Sequence, residues 1–167
     1  VEPSDVKKLG VLGAGVMGAG IAYVSASVGV DVVLIDTTQE RADGGKNHAA
    51  QLLDREIQRG RATPQRKDDV LSRITPTTDF SALTGADLVV EAVFEDRGVK
   101  AEATKKADAV LGNAAIFGSN TSTLPITGLA EASSRPANFV GSMTWTGLYT
   151  RKPLRSWIRK RRMQRSR

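Results

Sequence analysis

The sequence predicts an α/β fold, in which helices cover both faces of a doubly wound parallel sheet, and three observations carry this prediction. Short apolar runs of strand length alternate with longer segments of helical periodicity. A glycine-rich turn directly follows the first apolar run. The second run, over residues 30–35, is nearly continuous in β-branched side chains, as expected for a parallel strand buried on both faces. The 167 residues suffice for a single domain with its own core.

The glycine-rich turn has the pattern G-x-G-x-x-G at Gly13, Gly15 and Gly18, between a predicted strand at 8–12 and a predicted helix at 18–28. The first glycine of such a turn permits a tight bend, and the second lets backbone approach a pyrophosphate. The third lets the helix pack closely on the sheet, with its N-terminal amides facing the phosphates. The pattern favours a Rossmann-type dinucleotide-binding unit. The alternative is a glycine turn in an unrelated α/β protein.

Asp36 ends the second strand about 20 residues beyond this turn, where a carboxylate can accept hydrogen bonds from an adenosine ribose. Thr37 and Thr38 follow, with no immediate arginine to hold a 2′-phosphate, which favours NAD over NADP. An ordinary strand-end aspartate is the alternative.

The rest of the chain continues the alternation of helices and strands. Helices are predicted over residues 39–60, 64–71, 96–111 and 125–132. Strands are predicted over residues 73–75, 86–93, 114–118 and 138–140, and residues 76–85 form a loop with a brief helical turn.

The net charge of +6 is concentrated at one end of the chain. Residues 1–141 carry a net charge of −3, whereas residues 142–167 hold nine basic residues and no acidic one. This argues against nucleic-acid binding by the chain as a whole. It predicts a folded domain at 1–141 and a basic tail at 142–167, disordered or aberrant in structure.

Cysteine is absent, which excludes disulfides, thiolate catalysis and thiolate zinc ligands, and we expect no metal site. No apolar run has membrane-spanning length and no signal peptide is evident, so we expect a soluble cytoplasmic protein. The first residue is Val1 instead of methionine, which suggests a processed product or a piece of a longer protein.

Three polar groups follow the carboxyl ends of predicted strands, where ligands bind in such sheets. They are Asp36, Glu95 with the nearby Lys100, and the loop 119–122. Alternatives remain for each, because Glu95 and Lys100 suit an ordinary loop-to-helix transition and Ser122 could simply cap the next helix.

Residues 9–141 resemble the NAD-binding domain of 3-hydroxyacyl-CoA dehydrogenases, particularly the form within multifunctional β-oxidation proteins. The segments that carry the resemblance are GVLGAGVMGAGIA at 10–22, VVLID at 32–36, ADLVVEAVFED at 86–96 with Val99 and Lys100, and SNTSTLPI at 119–126. The resemblance implies oxidation of (S)-3-hydroxyacyl-CoA to 3-oxoacyl-CoA with NAD as the coenzyme.

The resemblance also implies roles for individual residues. Those that would hold the pyrophosphate are Gly13, Ala14, Gly15, Val16, Met17 and Gly18, and Asp36 would hold the ribose. Those that would line the nicotinamide half are Val93, Phe94, Glu95 and Lys100. Ser122 would lie between the coenzyme and the 3-hydroxyl group of the substrate, as a catalytic residue. Arg59 and Arg61 are weaker candidates for contacts with the CoA moiety, since a solvated helix end has the same composition.

The chain departs from the family pattern after Gly141. Met143 stands where the family places a catalytic histidine, and no acidic residue follows Glu131 to orient such a histidine. The only histidine, His48, lies within a predicted helix. The family also has a helical domain that closes over the substrate, and we expect this chain to lack it. Because a missing general base costs typically 10²–10⁴-fold in rate, we expect this chain alone to turn over very slowly.

Two other functions stay open. One is a non-catalytic dinucleotide-binding module whose basic tail contacts a polyanion, and the other is a dehydrogenase of a smaller 3-hydroxy acid or of carnitine. We expect an acyl-CoA substrate for the parent enzyme, and either a homo-oligomer or the remainder of a multifunctional protein as the partner. The loss of resemblance at residue 141 is typical of a shifted reading frame or an altered terminus.

Overall fold

The computed structural model describes residues 6–121 and 124–142. A six-stranded parallel sheet has the strand order β3-β2-β1-β4-β5-β6, and helices pack on both of its faces. The strands are β1 Lys8–Leu12, β2 Asp31–Ile35, β3 Ile74–Thr77, β4 Leu88–Glu91, β5 Ile116–Asn120 and β6 Phe139–Ser142. The helices are α1 Val16–Ser27, α2 Gln39–Gln58, α3 Pro64–Ser72, α4 Arg97–Asp108 and α5 Ile126–Ala130, with short 3₁₀ turns at Phe80–Leu83 and Pro136–Asn138. The predicted doubly wound α/β fold is confirmed.

The direction of winding reverses between β1 and β4, which lie side by side in the sheet. Sheets of this type bind ligands in the crevice at the carboxyl ends of the strands at this switch point. Gly13 follows β1 there, and Ala92 follows β4.

Alternate residues of the strands divide the core between the two faces of the sheet. On one face, Val11 and Leu34 pack in a cluster that includes Ile21 of α1 and Leu53 of α2. On the other face, side chains of β1, β2, β4 and β5 pack in a cluster with helices α4 and α5. The Phe117 and Phe139 rings of that second cluster stack with 5.2 Å between their centroids. The sheet is therefore apolar on both sides, as its β-branched runs predicted.

Several bounds differ from the predicted ones for local reasons. Helix α1 begins at Val16 instead of residue 18, because Gly15 already serves as its N-cap. The prediction that the third strand ends before Pro76 is wrong, since β3 continues through Pro76 to Thr77. Because β3 is an edge strand, the missing amide of proline removes no essential ladder bond.

The division at residue 141 stays a prediction, because residues 143–167 lie outside the described residues. Within the described residues, no helix combines the length and the hydropathy needed to span a bilayer.

Candidate coenzyme site

The glycine-rich turn is built against the carboxyl end of β4. Gly13 has a φ of +94°, which disfavours any other residue, and its amide donates to the Ile35 carbonyl over 2.7 Å. A Cβ atom at Gly13 would lie 2.6 Å from the Ala92 carbonyl oxygen. A Cβ atom at Gly18 would lie 1.7 Å from the Gly13 carbonyl oxygen. Gly13 therefore lets the turn pack against the end of β4, and Gly18 lets helix α1 pack against the turn.

Gly15 differs from the other two glycines of the motif, because a Cβ atom there would meet no atom within 4 Å apart from its own neighbours along the chain. Its φ of −66° is open to any residue, so neither strain nor packing within the protein requires a glycine. Val16 and Met17 follow at the start of α1 and expose 76% and 37% of their surface. The first amides of a helix lack intrahelical acceptors, and they suit an anion. The open space over Gly15 is thus suited to a pyrophosphate.

Asp36 joins this turn to the second strand. Its Oδ2 atom accepts the Ala14 amide over 2.7 Å, and its Oδ1 atom accepts the Thr37 amide over 2.7 Å. The Nε atom of Arg41 donates to the same Oδ1 over 2.9 Å. Burial alone would raise the pKa of the Asp36 carboxyl, but these hydrogen bonds outweigh it and hold the pKa below its usual value. Asp36 is therefore an ionised acceptor at the edge of the turn.

Arg41 is a residue that the sequence reasoning missed. The predicted preference for NAD rests on Thr37 and Thr38, which directly follow Asp36, whereas Arg41 lies five positions beyond Asp36. The Thr38 hydroxyl caps α2 by accepting the Arg41 amide over 3.3 Å, which places Arg41 in the first turn of the helix. A threonine cap three residues before an arginine was the signal that could have found it.

A buried ion pair lies beneath the other half of the site. Lys100 of α4 and Glu91 of β4 each expose about 1% of their side chains. The lysine Nζ lies 2.8 Å from Oε1 and 3.0 Å from Oε2 of Glu91. The pair is completed by the Ser119 hydroxyl, which donates to Glu91 over 2.7 Å, and by the Asn120 carbonyl, which accepts from Lys100 over 3.1 Å. The pair therefore links β4, β5 and α4.

Glu95 connects this buried pair to the surface. Its Oε2 atom lies 3.1 Å from Lys100 Nζ, and its Oε1 atom accepts the hydroxyl of Thr121. About a third of its side chain, 32%, is exposed. Phe94 beside it is 81% exposed, and the Val93 amide donates to Glu91 Oε1 over 2.8 Å. The structure thus brings together the four residues predicted to line the nicotinamide half, with Lys100 beneath the surface as a support for Glu95.

Other predicted residues lie apart from this edge or outside the described residues. Ser122 and Met143 are outside the described residues, so the catalytic role of Ser122 stays a prediction. His48 lies half-buried in the middle of α2. Arg59 and Arg61 line a cavity of about 540 Å³ between α1, α2 and α3. Arg59 lies at the far end of α2, about 30 Å from the start of the helix near Asp36 at a rise of about 1.5 Å per residue.

Comparison with known proteins identifies the family of the chain. Residues 8–145 match the model of a family described as the 3-hydroxyacyl-CoA dehydrogenase NAD-binding domain. The fatty acid oxidation complex subunit alpha of Psychrobacter cryohalolentis is 42% identical over 155 residues, which cover 93% of this chain and 21% of that protein. The chain thus spans about a fifth of the curated relatives it matches.

Solved structures show the same likeness. FadB2 of M. tuberculosis superposes with a TM-score of 0.79 at 38% identity, covering 81% of this chain and 48% of that one. The (S)-3-hydroxybutyryl-CoA dehydrogenase PaaH1 of Ralstonia eutropha also has a TM-score of 0.79, at 36% identity, covering 82% of this chain and 48% of that one.

Proposed function

The chain belongs to the NAD-binding-domain family of the 3-hydroxyacyl-CoA dehydrogenases, and from that premise we propose that it forms the coenzyme half of an enzyme that oxidises (S)-3-hydroxyacyl-CoA to 3-oxoacyl-CoA. One observation carries the proposal. A Cβ atom at Gly13 or Gly18 would clash with backbone atoms, whereas the space over Gly15 is open. Asp36 accepts a hydrogen bond from the Ala14 amide of the same turn.

The residues of this chain have separate tasks in that reaction. NAD, when bound, accepts the hydride from the carbon that bears the hydroxyl group. The start of α1 would bind its pyrophosphate, and Asp36 would accept hydrogen bonds from its adenosine ribose. Glu95, fixed by Lys100 and Thr121, would orient the nicotinamide end above the carboxyl edge of β4. These contacts position the coenzyme, and they do not remove the hydroxyl proton.

The hydroxyl proton needs an acceptor of suitable pKa. The only histidine of the chain is His48, which lies in mid-helix, away from the carboxyl edge of the sheet. Met143 stands where the resemblance places a histidine, and a thioether is not a base at neutral pH. We therefore propose that turnover requires a base from outside this chain, as in a larger fatty acid oxidation protein of the kind that its curated relatives form.

The test of the coenzyme site is a titration of the chain with NADH, followed by fluorescence. Gly15→Ala should abolish or strongly weaken NADH binding, because the added methyl group occupies the space of the pyrophosphate, yet it should leave the fold intact. Gly20→Ala is the matched control in the same helix, since its Cβ also meets no atom within 4 Å. If both variants bind NADH like the parent chain, the coenzyme site is wrong.

A second measurement tests the missing base. The parent chain, saturated with NADH, should reduce acetoacetyl-CoA at least about 10²-fold more slowly than a complete dehydrogenase does. Turnover at the rate of a complete dehydrogenase would contradict the need for an outside base and would leave the coenzyme site standing.

A further inference from the structure

We infer that Arg41 is a coenzyme-specificity residue, which lets the adenosine-ribose end of the site accept a 2′-phosphate so that the chain binds NADPH as well as NADH. The inference rests on the proposed coenzyme site and goes beyond the NAD preference that Asp36 implies. It names the ligand chemistry, a phosphate monoester on the ribose, and the side chain that would take it.

The charge of the proposed ribose site differs from that of a lone aspartate. An unpaired aspartate at this position favours NAD because its charge repels a 2′-phosphate, while an arginine nearby accommodates one. In this chain both residues are present and in contact, with Arg41 Nε and Asp36 Oδ1 2.9 Å apart. The two side chains together carry no net charge, so the repulsion that disfavours NADPH is weaker than beside a lone aspartate.

The arrangement of the pair also favours a 2′-phosphate. The Asp36 side chain is 7% exposed and the Arg41 side chain is 66% exposed, so an incoming phosphate meets the cation first. The ion pair uses Nε, which is one edge of the planar guanidinium. A guanidinium carries five donors in a fixed fork, so the two terminal nitrogens have donors for a phosphate while Nε stays on the carboxylate.

Asp36 keeps acceptor capacity for an unphosphorylated ribose. Its Oδ1 atom accepts from the Thr37 amide, the Thr37 hydroxyl and Arg41, whereas the contact made by Oδ2 is with the Ala14 amide. A carboxylate oxygen offers two lone pairs, so Oδ2 retains acceptor capacity for a ribose hydroxyl. The same pair of side chains can thus serve either coenzyme.

The test compares the dissociation constants of NADH and NADPH for the parent chain, Arg41→Ala and Arg41→Lys at one fixed ionic strength. The parent should bind the two coenzymes within about 10-fold of each other. Since a hydrogen bond to a charged group contributes about 1.5–3 kcal/mol, and 1.4 kcal/mol is tenfold, Arg41→Ala should weaken NADPH binding about 10-fold or more. NADH binding should change by less than about 3-fold, and Arg41→Lys should restore part of the NADPH affinity because the charge returns without the fork.

Arg73→Ala is the matched control, because Arg73 forms a similar exposed ion pair, 3.0 Å from Asp31 at the opposite end of β2. It removes the same charge and should leave the ratio of the two affinities unchanged. The inference is overturned if the parent binds NADPH more than about 100-fold more weakly than NADH, or if Arg41→Ala weakens both coenzymes equally. Binding of neither coenzyme would overturn the proposed function itself, and the inference with it.

Discussion

Replacement of Lys100 by methionine should lower the free energy of unfolding by about 3–5 kcal/mol, because it leaves the Glu91 carboxylate buried without its cation. The lysine Nζ lies 2.8 Å and 3.0 Å from the two carboxylate oxygens. At an effective dielectric constant of about 20, unit charges about 3 Å apart attract by about 6 kcal/mol. In the intact pair this attraction offsets the cost of removing both charges from water.

The variant loses the attraction but keeps the cost of burying the carboxylate. Methionine is unbranched and flexible, so it fills most of the space of the lysine stem, and a cavity contributes little to the loss. The measurement is unfolding in urea, followed by circular dichroism, for Lys100→Met, Glu91→Gln and the double variant. Glu91→Gln should cost less, about 1–3 kcal/mol, because Lys100 keeps its contacts with Glu95 and with the Asn120 carbonyl, each at 3.1 Å.

The double variant decides the interpretation. It should be more stable than Lys100→Met alone, because no unpaired charge remains at Glu91, and the two losses should not add. The reasoning is refuted if the free energy of unfolding of Lys100→Met lies within about 1 kcal/mol of that of the parent, because ordinary substitutions cause losses of that size. Strict additivity of the two single changes would refute it equally.

Adjacent glycines of α2 should respond in opposite ways to alanine. A Cβ atom at Gly44 would meet no atom within 4 Å beyond its own stretch of helix, so Gly44→Ala should stabilise the protein by up to about 1 kcal/mol through helix propensity. Gly45→Ala should destabilise it, because the added Cβ atom would lie 2.8 Å from the Ala14 Cβ and 2.9 Å from the Ala14 carbonyl oxygen. Thermal unfolding of the two variants checks this, and equal shifts of Tm would contradict it. Acid should lower the stability of the protein through Asp108. Burial alone would raise the pKa of the Asp108 carboxyl, but hydrogen bonds from Arg135, Ser133 and Ser134 hold that pKa below its usual value. Because the folded-state pKa is the lower one, this stabilisation is complete above about pH 4 and is lost as the pH falls through the folded-state value. Asp108→Asn should flatten that acid-side loss in urea titrations between about pH 5 and pH 2, and an unchanged slope would refute the assignment.

Residues with local signals could be placed from the sequence. Gly13 and Gly18 follow a strand at fixed spacing, and their tight contacts with β4 and with each other are those that the motif requires. Asp36 was found for the same reason, since its distance from the motif is set by one helix and one strand. Such features depend on the chain within about thirty residues, which a single sequence displays.

Apart from the Asp36–Arg41 pair, the contacts that were missed depend on elements distant in the chain. Glu91 is an isolated acid within an apolar strand, and its partner Ser119 is brought opposite only by the register of β4 and β5. Lys100 reaches it only once α4 has folded back over both strands. Gly45 carries no motif at all, and its need for a small residue arises where α2 crosses the turn at Ala14. A one-dimensional pattern contains none of these registers or crossings.

The two ends of the site are stabilised by unlike interactions, and this explains which of them can vary. Asp36 and Arg41 pair at the protein surface, where the arginine is 66% exposed, so changes there cost little stability and can alter coenzyme choice. Glu91 and Lys100 pair in the core and also fix the Val93 amide and the Glu95 carboxylate, so a change there disturbs the fold and the nicotinamide end together. In the proposed site, coenzyme choice is therefore open to substitution at the ribose end, whereas the position of the nicotinamide end is constrained by the core of the protein.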